Sequence, residues 1–314
     1  MQLNYGILST SSIAPRFIAA VREANAGEIV AVSSRTLEKA QEKAAMWDIA
    51  KAYGSHEALL EDENVNIVYI STVNALHYKW AKAALQKGKH VICEKPCTTS
   101  KDQTRELFAL ARERGLFFME AQKMLFLPAV QALKDRIESG ILGDIRMVEL
   151  SSSFAASYNG WMFDKSAGGG PLLSSGIYGI QLMLWLFGPI KQISGMYSAE
   201  AGEAEWQYAI CGETESGVLF TLRNSMRASL ENAAVFYGSN GNAELPSFWK
   251  ARKAVFSLRG AQPETVEFPC EHELMYEAKH ILECMQKGLL TSPVATEELA
   301  TQGIAAIENI KSAW

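Results

Sequence analysis

The segment with the clearest chemical content is His90-Val91-Ile92-Cys93-Glu94-Lys95-Pro96, where an apolar strand runs into a Glu-Lys-Pro turn. Open α/β sheets bind ligands at the carboxyl ends of their strands, so Glu94 and Lys95 are candidates for a ligand site. An ammonium group beside a reacting oxygen stabilises a developing alkoxide and lowers the pKa of a neighbouring acid. The alternative is that Lys95 is a solvated turn lysine beside a structural Glu94.

A second candidate site follows the first predicted strand. A strand that runs into a small-residue turn and a helix is where a Rossmann fold binds pyrophosphate, because the backbone can approach and the helix start offers free N–H groups. Ser9, Ser11 and Ala14 occupy the three glycine positions of G-x-G-x-x-G, so the fingerprint is degraded although the residues stay small. A plain strand-turn-helix is the equally weighted alternative. The residues expected at the cofactor here are Ser9, Thr10, Ser11, Ser12 and Ile13.

The end of the second predicted strand bears on which dinucleotide is bound. A site that chooses NAD usually has Asp or Glu about 20 residues past the glycines. Here the strand ends in Ser33-Ser34-Arg35-Thr36, without an acid. Arg35 can stack on adenine and pair with a 2′-phosphate, to which Ser34 and Thr36 can also donate. We therefore predict that NADP(H) is preferred over NAD(H); alternatively, Arg35 is a surface residue and Thr36 caps the next helix.

A strongly apolar stretch from Pro171 to Phe187 predicts a helix with a few polar positions. Ser174, Tyr178 and Gln181 stand at i, i+4 and i+7, which places them in one stripe of an α-helix. Polar groups on an apolar helix need partners, either in a hydrogen-bonded core or in a wet cleft. Tyr178 is thus either a buried tyrosine with a satisfied hydroxyl or a group that does chemistry.

The first ~120 residues alternate short apolar runs with amphipathic ones, which is typical of βαβ units and a parallel sheet. We predict strands at 3–8, 29–33, 67–71, 91–93 and 116–119, and helices at 12–23, 36–47, 77–87 and 101–114. The rhythm then changes. A helix is predicted at 127–138, a strand at 145–154, an antiparallel sheet within 190–270 and two helices at 273–286 and 296–311.

The predicted fold class is therefore an α/β Rossmann domain over 1–121 followed by an α+β domain over 122–314 with a large open, mainly antiparallel sheet. The second domain would bind substrate and form the oligomer.

Composition excludes several functional classes. The chain of 314 residues is 48% hydrophobic and 21% charged, and its net charge of -5 gives no reason to expect nucleic acid or an anionic membrane as partner. Five scattered cysteines, with no second Cys/His cluster, predict reduced thiols and no metal site. The first residues read at once as a strand and not as a secretion signal. We expect a cytoplasmic protein with a small-molecule substrate.

These motifs together resemble the Gfo/Idh/MocA family of oxidoreductases over essentially the whole chain, most closely its dihydrodiol-dehydrogenase-like branch. The most specific motif is Glu94-Lys95-Pro96. The others are the degraded nucleotide turn, Ser34-Arg35, Asn74-x-x-His77, Phe126-x-Pro128, Gly143-Asp144, Gly168-Gly169-Gly170 and Ser292-Pro293-Val294.

The resemblance implies a role for several of these residues. Lys95 would lie near the nicotinamide and the substrate oxygen, and the Lys95–Pro96 bond would be cis. Tyr178 matches the tyrosine that acts as general acid/base in that branch. Thr72, Asn74, His77 and Glu94 would line the cofactor site, with His77 at the start of its helix and more suited to capping it than to transferring protons.

The chain also departs from the family pattern. The family usually has Asp where this chain has Ser174, often an acid near Gln181, and an arginine where Leu125 stands. These changes imply a different substrate, a weaker enzyme or a non-catalytic homologue. The residues expected at the substrate are Phe126, Trp161, Ser174 and Gln181.

A loop with several aromatic side chains precedes the triple glycine. It would either wall an apolar substrate pocket or plug the space between sheet and helix. The four aromatics are Phe154, Tyr158, Trp161 and Phe163.

We therefore expect an NADP(H)-dependent dehydrogenase/reductase that moves a hydride to or from the CH–OH carbon of a small cyclic or sugar-like substrate. Lys95 would polarise the oxygen and Tyr178 would give or take the proton. The alternatives are a non-catalytic NADP-binding sensor and an NAD-dependent glycosidase-type hydrolase. The family also implies a homodimer or higher homo-oligomer through the sheet of residues 190–270.

Overall fold

The computed structural model describes residues 2–155 and 160–314. The chain divides into two compact units, of which the first comprises 1–122 and 272–301 and the second 123–271 and 302–314. The first boundary lies within one residue of the predicted one, but 272–301 returns to the first unit. Two contacts tie this segment there: the Arg16 guanidinium pairs with Glu273, and the Phe118 N–H donates to the Leu290 carbonyl.

Six parallel strands form the sheet of the first unit, in the order β3-β2-β1-β4-β5-β6. This is the strand order of a dinucleotide-binding Rossmann fold, so the predicted fold class is confirmed for this unit. The strands are β1 Asn4–Leu8, β2 Glu28–Ser33, β3 Lys51–Tyr53, β4 Ile67–Ile70, β5 His90–Glu94 and β6 Phe118–Ala121. All four residues of β4 are buried, as expected for a strand that is covered on both faces.

Nine α-helices are found in the described residues. They are α1 Ala14–Glu23, α2 Leu37–Trp47, α3 His56–Leu60, α4 Asn74–Gln86, α5 Lys101–Glu113, α6 Pro128–Glu138, α7 Ile177–Phe187, α8 Met275–Gln286 and α9 Glu297–Ser312. The sequence pattern missed α3 and the neighbouring β3. Both are too short to show a periodicity, and β3 pairs only at the edge of the sheet.

The second unit is built on an eight-stranded sheet in the order β14-β13-β12-β11-β7-β10-β9-β8. Its strands are β7 Ile145–Ser153, β8 Ile190–Ser198, β9 Gln207–Thr214, β10 Leu219–Ser225, β11 Ala233–Gly238, β12 Gly241–Pro246, β13 Lys253–Leu258 and β14 Glu264–Glu267. Neighbours are antiparallel except β7 and β10, which run parallel. The prediction of a large, mainly antiparallel sheet is therefore confirmed.

The apolar segment before β8 begins differently from the prediction. Residues Leu172–Gly176 form a π-helical turn, in which the Ile177 N–H donates to the carbonyl of Leu172, and only Ile177–Phe187 is α-helical. By length and composition alone the stretch Lys165–Phe187 is apolar enough to cross a membrane. However, 72% of its most apolar window is buried inside the protein, which is the situation of a core helix.

Candidate active site

The turn between β1 and α1 has a glycine-like backbone at its first position although it lacks the glycines. Ser9, at the first glycine position, has a φ of 109°, a region that L-residues rarely adopt. No described side chain caps α1 at Ile13, and its first turn carries no acid. The positive dipole end of this helix is thus not offset by an acid of its own first turn, which fits an anion such as pyrophosphate.

Hydroxyl pairs connect this turn to the ends of two neighbouring strands. The Ser11 hydroxyl donates to that of Ser71 at 2.8 Å, beyond β4. The Thr10 and Ser34 hydroxyls lie 3.4 Å apart, beyond β1 and β2. Ser12 is exposed. The polar groups that the sequence assigned to the cofactor are thereby gathered at the carboxyl edge of the sheet.

The residues after β2 bring a buried hydroxyl and an exposed cation to the end of the strand. Ser34 is buried, Arg35 is exposed, and no acid stands between Ser33 and Thr36. Thr36 caps α2, since its hydroxyl accepts from the Lys39 N–H at 3.3 Å. Of the two interpretations of Thr36, the structure therefore places it as a cap, while Arg35 remains the cation at the strand end.

The Glu94-Lys95-Pro96 turn follows β5, next to β4 in the sheet. The Tyr69 hydroxyl on β4 donates to the Glu94 carboxylate, and the Tyr69 ring stacks on Phe17 with centroids 3.7 Å apart. The Lys95–Pro96 peptide bond is cis, as the resemblance implies. Glu94 is thus anchored by a buried tyrosine, and Lys95 is half-buried at the carboxyl edge of the sheet.

His77 does not cap its helix, so that expectation is wrong. Helix α4 begins at Asn74, with Val73 before it, which puts His77 inside the helix. Its ring is 1% exposed; Nδ1 lies 2.7 Å from the Pro96 carbonyl oxygen and Nε2 lies 3.0 Å from that of Thr72. Burial lowers the pKa of His77 below its ordinary value. Asn74 is also buried, at the first position of α4.

Tyr178 lies in the second unit, in the first turn of α7. It is 7% exposed. Ser174 belongs to the π-helical turn, where its hydroxyl donates to the Gly170 carbonyl at 2.8 Å. Ser174 and Tyr178 are therefore joined through part of a π turn, which contains more residues than an α turn.

Buried side chains hold the start of this helix. The Glu205 carboxylate accepts from the Leu172 N–H at 3.2 Å and pairs with the Lys311 ammonium at 3.3 Å. A Cβ on Gly176 would lie 2.7 Å from the Tyr208 hydroxyl oxygen, so this close approach requires glycine. Burial, together with the Glu205 charge, raises the pKa of Tyr208 far above its ordinary value.

The remaining substrate candidates differ in how far they are exposed to solvent. Gln181 is fully buried in the second unit against Gly303 of α9, which is the position of a core residue. Phe126 is half-buried at the end of a 3₁₀ helix, Lys123–Phe126, and Trp161 is exposed. Ser174 is half-buried.

The aromatic loop is described only in part. Phe163 is buried, and its carbonyl accepts from the Ala204 N–H at 2.8 Å, which fits the plug interpretation for this residue. Tyr158 lies outside the described residues.

Sequence reasoning missed Glu120. This carboxylate lies on β6, is 1% exposed, and accepts from the Cys97 N–H at 2.8 Å. The available signal was an acid within the apolar run Phe117-Phe118-Met119-Glu120-Ala121. A carboxyl group in a buried strand needs a hydrogen-bond or ion-pair partner, since its burial is otherwise costly.

Two other features lie apart from these residues. A cavity beside Asn4, Glu28 and Lys51 opens at the amino ends of β1 to β3, the edge of the sheet opposite to Lys95. Across residues 2–155 and 160–314, no three His, Cys, Asp or Glu side chains are grouped so that they could hold a metal ion.

Comparison with known proteins matches both parts of the chain. Residues 3–122 match the family model of the oxidoreductase family with an NAD-binding Rossmann fold, and residues 130–244 match that of the GFO/IDH/MocA C-terminal domain. The trans-1,2-dihydrobenzene-1,2-diol dehydrogenase of Bos taurus is 36% identical over 306 residues, which cover 94% of this chain and 91% of the relative. The Mus musculus enzyme of that name is 33% identical over 307 residues with the same coverage.

Solved structures share the fold at lower identity. The 3-ketoreductase KijD10 of Actinomadura kijaniata, in complex with NADP and TDP-benzene, superposes with a TM-score of 0.90 at 23% identity over 99% of this chain and 98% of that one. A levoglucosan dehydrogenase in complex with NADH and levoglucosan gives 0.89 at 18% identity, over 100% and 97%. One neighbour carries NADP and the other NADH, so the shared fold does not select the cofactor.

Proposed function

Since this chain belongs to the GFO/IDH/MocA family of oxidoreductases, we propose that it is an NADP(H)-dependent dehydrogenase acting on a hydroxyl or carbonyl carbon of a small cyclic or sugar-like substrate. The observation that carries this proposal is the Glu94-Lys95 turn, anchored by Tyr69 at the same sheet edge as the nucleotide turn. A trans-dihydrodiol, the substrate class in the names of the relatives that are 33–36% identical, is the first substrate to test.

The cofactor proposal rests on the residues beyond β1 and β2. The turn from Ser9 to Ile13 would hold the pyrophosphate at the start of α1, and Ser34 and Arg35 would hold the 2′-phosphate. Thr72 and Asn74 would border the nicotinamide. When bound, the cofactor supplies or accepts the hydride.

In the proposed chemistry, two side chains act on the substrate oxygen. The Lys95 ammonium would donate a hydrogen bond to this oxygen and stabilise its negative charge. The Tyr178 hydroxyl would give the oxygen a proton in reduction and take it back in oxidation. A cation near a phenol makes it a better acid, so Lys95 would serve both roles.

The test of these roles is steady-state turnover of trans-1,2-dihydrobenzene-1,2-diol with NADP⁺. Lys95→Met and Tyr178→Phe should each lower kcat by about 10²- to 10⁴-fold, the usual contribution of a positioned acid or base. Lys253→Met and Tyr197→Phe, which change exposed side chains of the second unit, should keep wild-type kcat. If Lys95→Met and Tyr178→Phe keep it as well, the mechanism is wrong.

The NADP preference is tested by thermal shift. A ligand present at 100 times its Kd raises the apparent stability by about 2.7 kcal/mol, so NADP⁺ should raise Tm more than NAD⁺ at equal concentration. Arg35→Gln should remove most of that difference without changing the Tm of the cofactor-free protein, because Arg35 is exposed. A larger shift with NAD⁺ on the wild-type protein would refute the preference.

A second candidate function is a non-catalytic NADP-binding sensor. It is favoured by the lack of an acid at Ser174 and by the burial of Gln181 in the core of its unit. Tight NADP⁺ binding without turnover on a broad panel of alcohols and carbonyls would support the sensor over the enzyme.

We also propose a cytoplasmic homodimer that forms through the open face of the large sheet. Met147, Met196 and Leu219 are 40%, 79% and 49% exposed, and the strand register puts them on one face. Exposed apolar side chains on an open sheet face are a feature of association surfaces. Met196→Glu should shift the mass measured by light scattering from dimer to monomer; a wild-type monomer would exclude the dimer.

A further inference from the structure

The Pro96–Cys97 peptide unit, which lies just after Lys95, is hydrogen-bonded by a buried side chain at each end. Its carbonyl belongs to Pro96 and its N–H to Cys97. The carbonyl oxygen lies 2.7 Å from His77 Nδ1, and the N–H donates to Glu120 Oε2 at 2.8 Å. Both side chains are 1% exposed and come from different elements, α4 and β6.

The geometry assigns a donor role to His77. A carbonyl oxygen only accepts hydrogen bonds, and a neutral imidazole carries one N–H. Because burial lowers the pKa of His77, the ring is neutral at pH 7 and can donate to only one of its two carbonyl neighbours. The contact to Pro96, at 2.7 Å, is shorter than the contact to Thr72, at 3.0 Å, which favours the tautomer with the proton on Nδ1.

Glu120 accepts the hydrogen bond at the N–H end of the same peptide. Two buried thiols, Cys93 and Cys97, lie close enough to this carboxylate for its charge to raise their pKa further above the value that burial sets. Both thiols stay protonated, and a Glu120 carboxyl oxygen accepts from the Cys97 N–H. A peptide with a donor on its carbonyl and an acceptor on its N–H is polarised in one direction, and hydrogen bonds in such a chain strengthen one another.

We propose that His77 and Glu120 are positioning residues for Lys95, which act by holding the Pro96–Cys97 peptide between them. Tyr69 holds the Glu94 side chain on the other flank of Lys95. The backbone of Lys95 is therefore fixed from both sides, which sets the direction in which its side chain leaves the backbone. The proposal rests on the proposed function for the importance of Lys95, but the two hydrogen bonds to the Pro96–Cys97 peptide do not depend on that function.

The first experiment uses the cofactor-free protein and two matched variants. The amide nitrogen of asparagine occupies nearly the position of His Nδ1, and that of glutamine nearly the position of Nε2. His77→Asn therefore keeps a donor for Pro96, whereas His77→Gln loses it and keeps the Thr72 contact. Hydrogen exchange at the Cys97 amide should accelerate at least tenfold in His77→Gln and less than threefold in His77→Asn.

The companion variants address Glu120. Glu120→Gln keeps an oxygen acceptor for the Cys97 N–H, and Glu120→Ala does not. Exchange at Cys97 should rise at least tenfold in Glu120→Ala and far less in Glu120→Gln. If Glu120→Ala fails to fold, the asparagine and glutamine pair at His77 still decides the matter.

The second readout reports on Lys95 itself. Reductive ¹³C-methylation labels the lysine ammonium groups, and the Lys95 resonance is the one that is absent in Lys95→Met. In His77→Gln this resonance should sharpen and move toward that of exposed lysines, while in His77→Asn it should keep its wild-type position. Unchanged Cys97 exchange, or an unchanged Lys95 resonance despite faster exchange, would overturn the proposal.

Turnover with NADP⁺ and trans-1,2-dihydrobenzene-1,2-diol separates this inference from the proposed function. His77→Gln should lower kcat about 10- to 100-fold with KM within threefold of wild type, and His77→Asn should restore most of kcat. A wild-type protein without turnover would count against the proposed enzyme. The two cofactor-free readouts would still decide whether His77 and Glu120 hold the Pro96–Cys97 peptide. A normal kcat in His77→Gln, with a perturbed Lys95 resonance, would overturn the positioning role.

Discussion

The turn that carries Lys95 and the helix that carries Tyr178 are stabilised in different ways. In the first, buried polar side chains of three elements, Tyr69, His77 and Glu120, each bond one group beside Lys95. In the second, glycines let the helix start approach its neighbours, and one buried carboxylate, Glu205, accepts from its backbone. A polar turn is thus held through individual hydrogen bonds, and an apolar helix mainly through close packing.

The largest effect is expected where packing leaves no room. Gly170 has a φ of +98°, and a Cβ there would lie 2.3 Å from Glu205 Oε1. Gly202 has a φ of +86° with nothing nearby. Gly202→Ala should cost about 1–2 kcal/mol for the left-handed backbone, and Gly170→Ala about 1–3 kcal/mol more for the overlap. Urea unfolding measures both, and equal losses would show that Glu205 moves aside freely.

Removing the carboxylate tests the polar part of the helix start. Glu205→Ala would leave the buried Leu172 N–H without its acceptor, which should cost about 1–3 kcal/mol. Glu205→Gln keeps an oxygen for this N–H and loses only the pairing with the partly exposed Lys311, so it should cost less. If both variants unfold at the wild-type urea concentration, Glu205 does not stabilise the helix start.

Lowering the pH should destabilise the first unit more than the second. All five histidines lie in the first unit, and burial lowers the pKa of four of them: His56, His77, His90 and His280. The unfolded chain then binds more protons than the folded one below pH ~6.5, so stability falls as the pH drops through that value. For the fully buried His77 the loss is at most about 1.4 kcal/mol for each pH unit.

Hydrogen exchange followed by peptide mass spectrometry checks this prediction. After correction for the intrinsic pH dependence of exchange, protection in β1, β4 and β5 should fall between pH 7 and pH 5 more than protection in β9 and β10. An equal or larger fall in the second unit would contradict the assignment of the acid effect to the histidines.

The smallest effect concerns a helix cap beside the cofactor strand. Thr36→Ala should cost about 1 kcal/mol, since its hydroxyl accepts from the Lys39 N–H. Ser100 stands before α5 in the same position but makes no cap bond with its side chain, so Ser100→Ala is the control and should change stability little. Equal melting temperatures for the two variants would mean that Thr36 is not an effective cap.

Much of this organisation was predictable from the chain. The alternation of apolar strands with amphipathic helices predicted the parallel sheet, and the Glu94-Lys95-Pro96 turn predicted where the candidate site lies. Short elements such as β3 and α3 were missed, because three to five residues carry no readable period. The helix of Tyr178 was predicted from its composition, but the π-helical turn at its start was not.

The sequence alone is enough to predict the class of fold, the carboxyl edge of the first sheet that carries both the nucleotide turn and Lys95, and the lack of an acid beside Arg35. Local pattern suffices for these, because successive βαβ units give a parallel sheet whose strands all end at one carboxyl edge. Long-range packing, by contrast, brings His77 and Glu120 to one peptide and buries Gln181 in the second unit. His77 and Glu120 are 43 positions apart in the chain, and the burial of Gln181 depends on which face of its helix is covered. Local spacing in the sequence encodes neither relation.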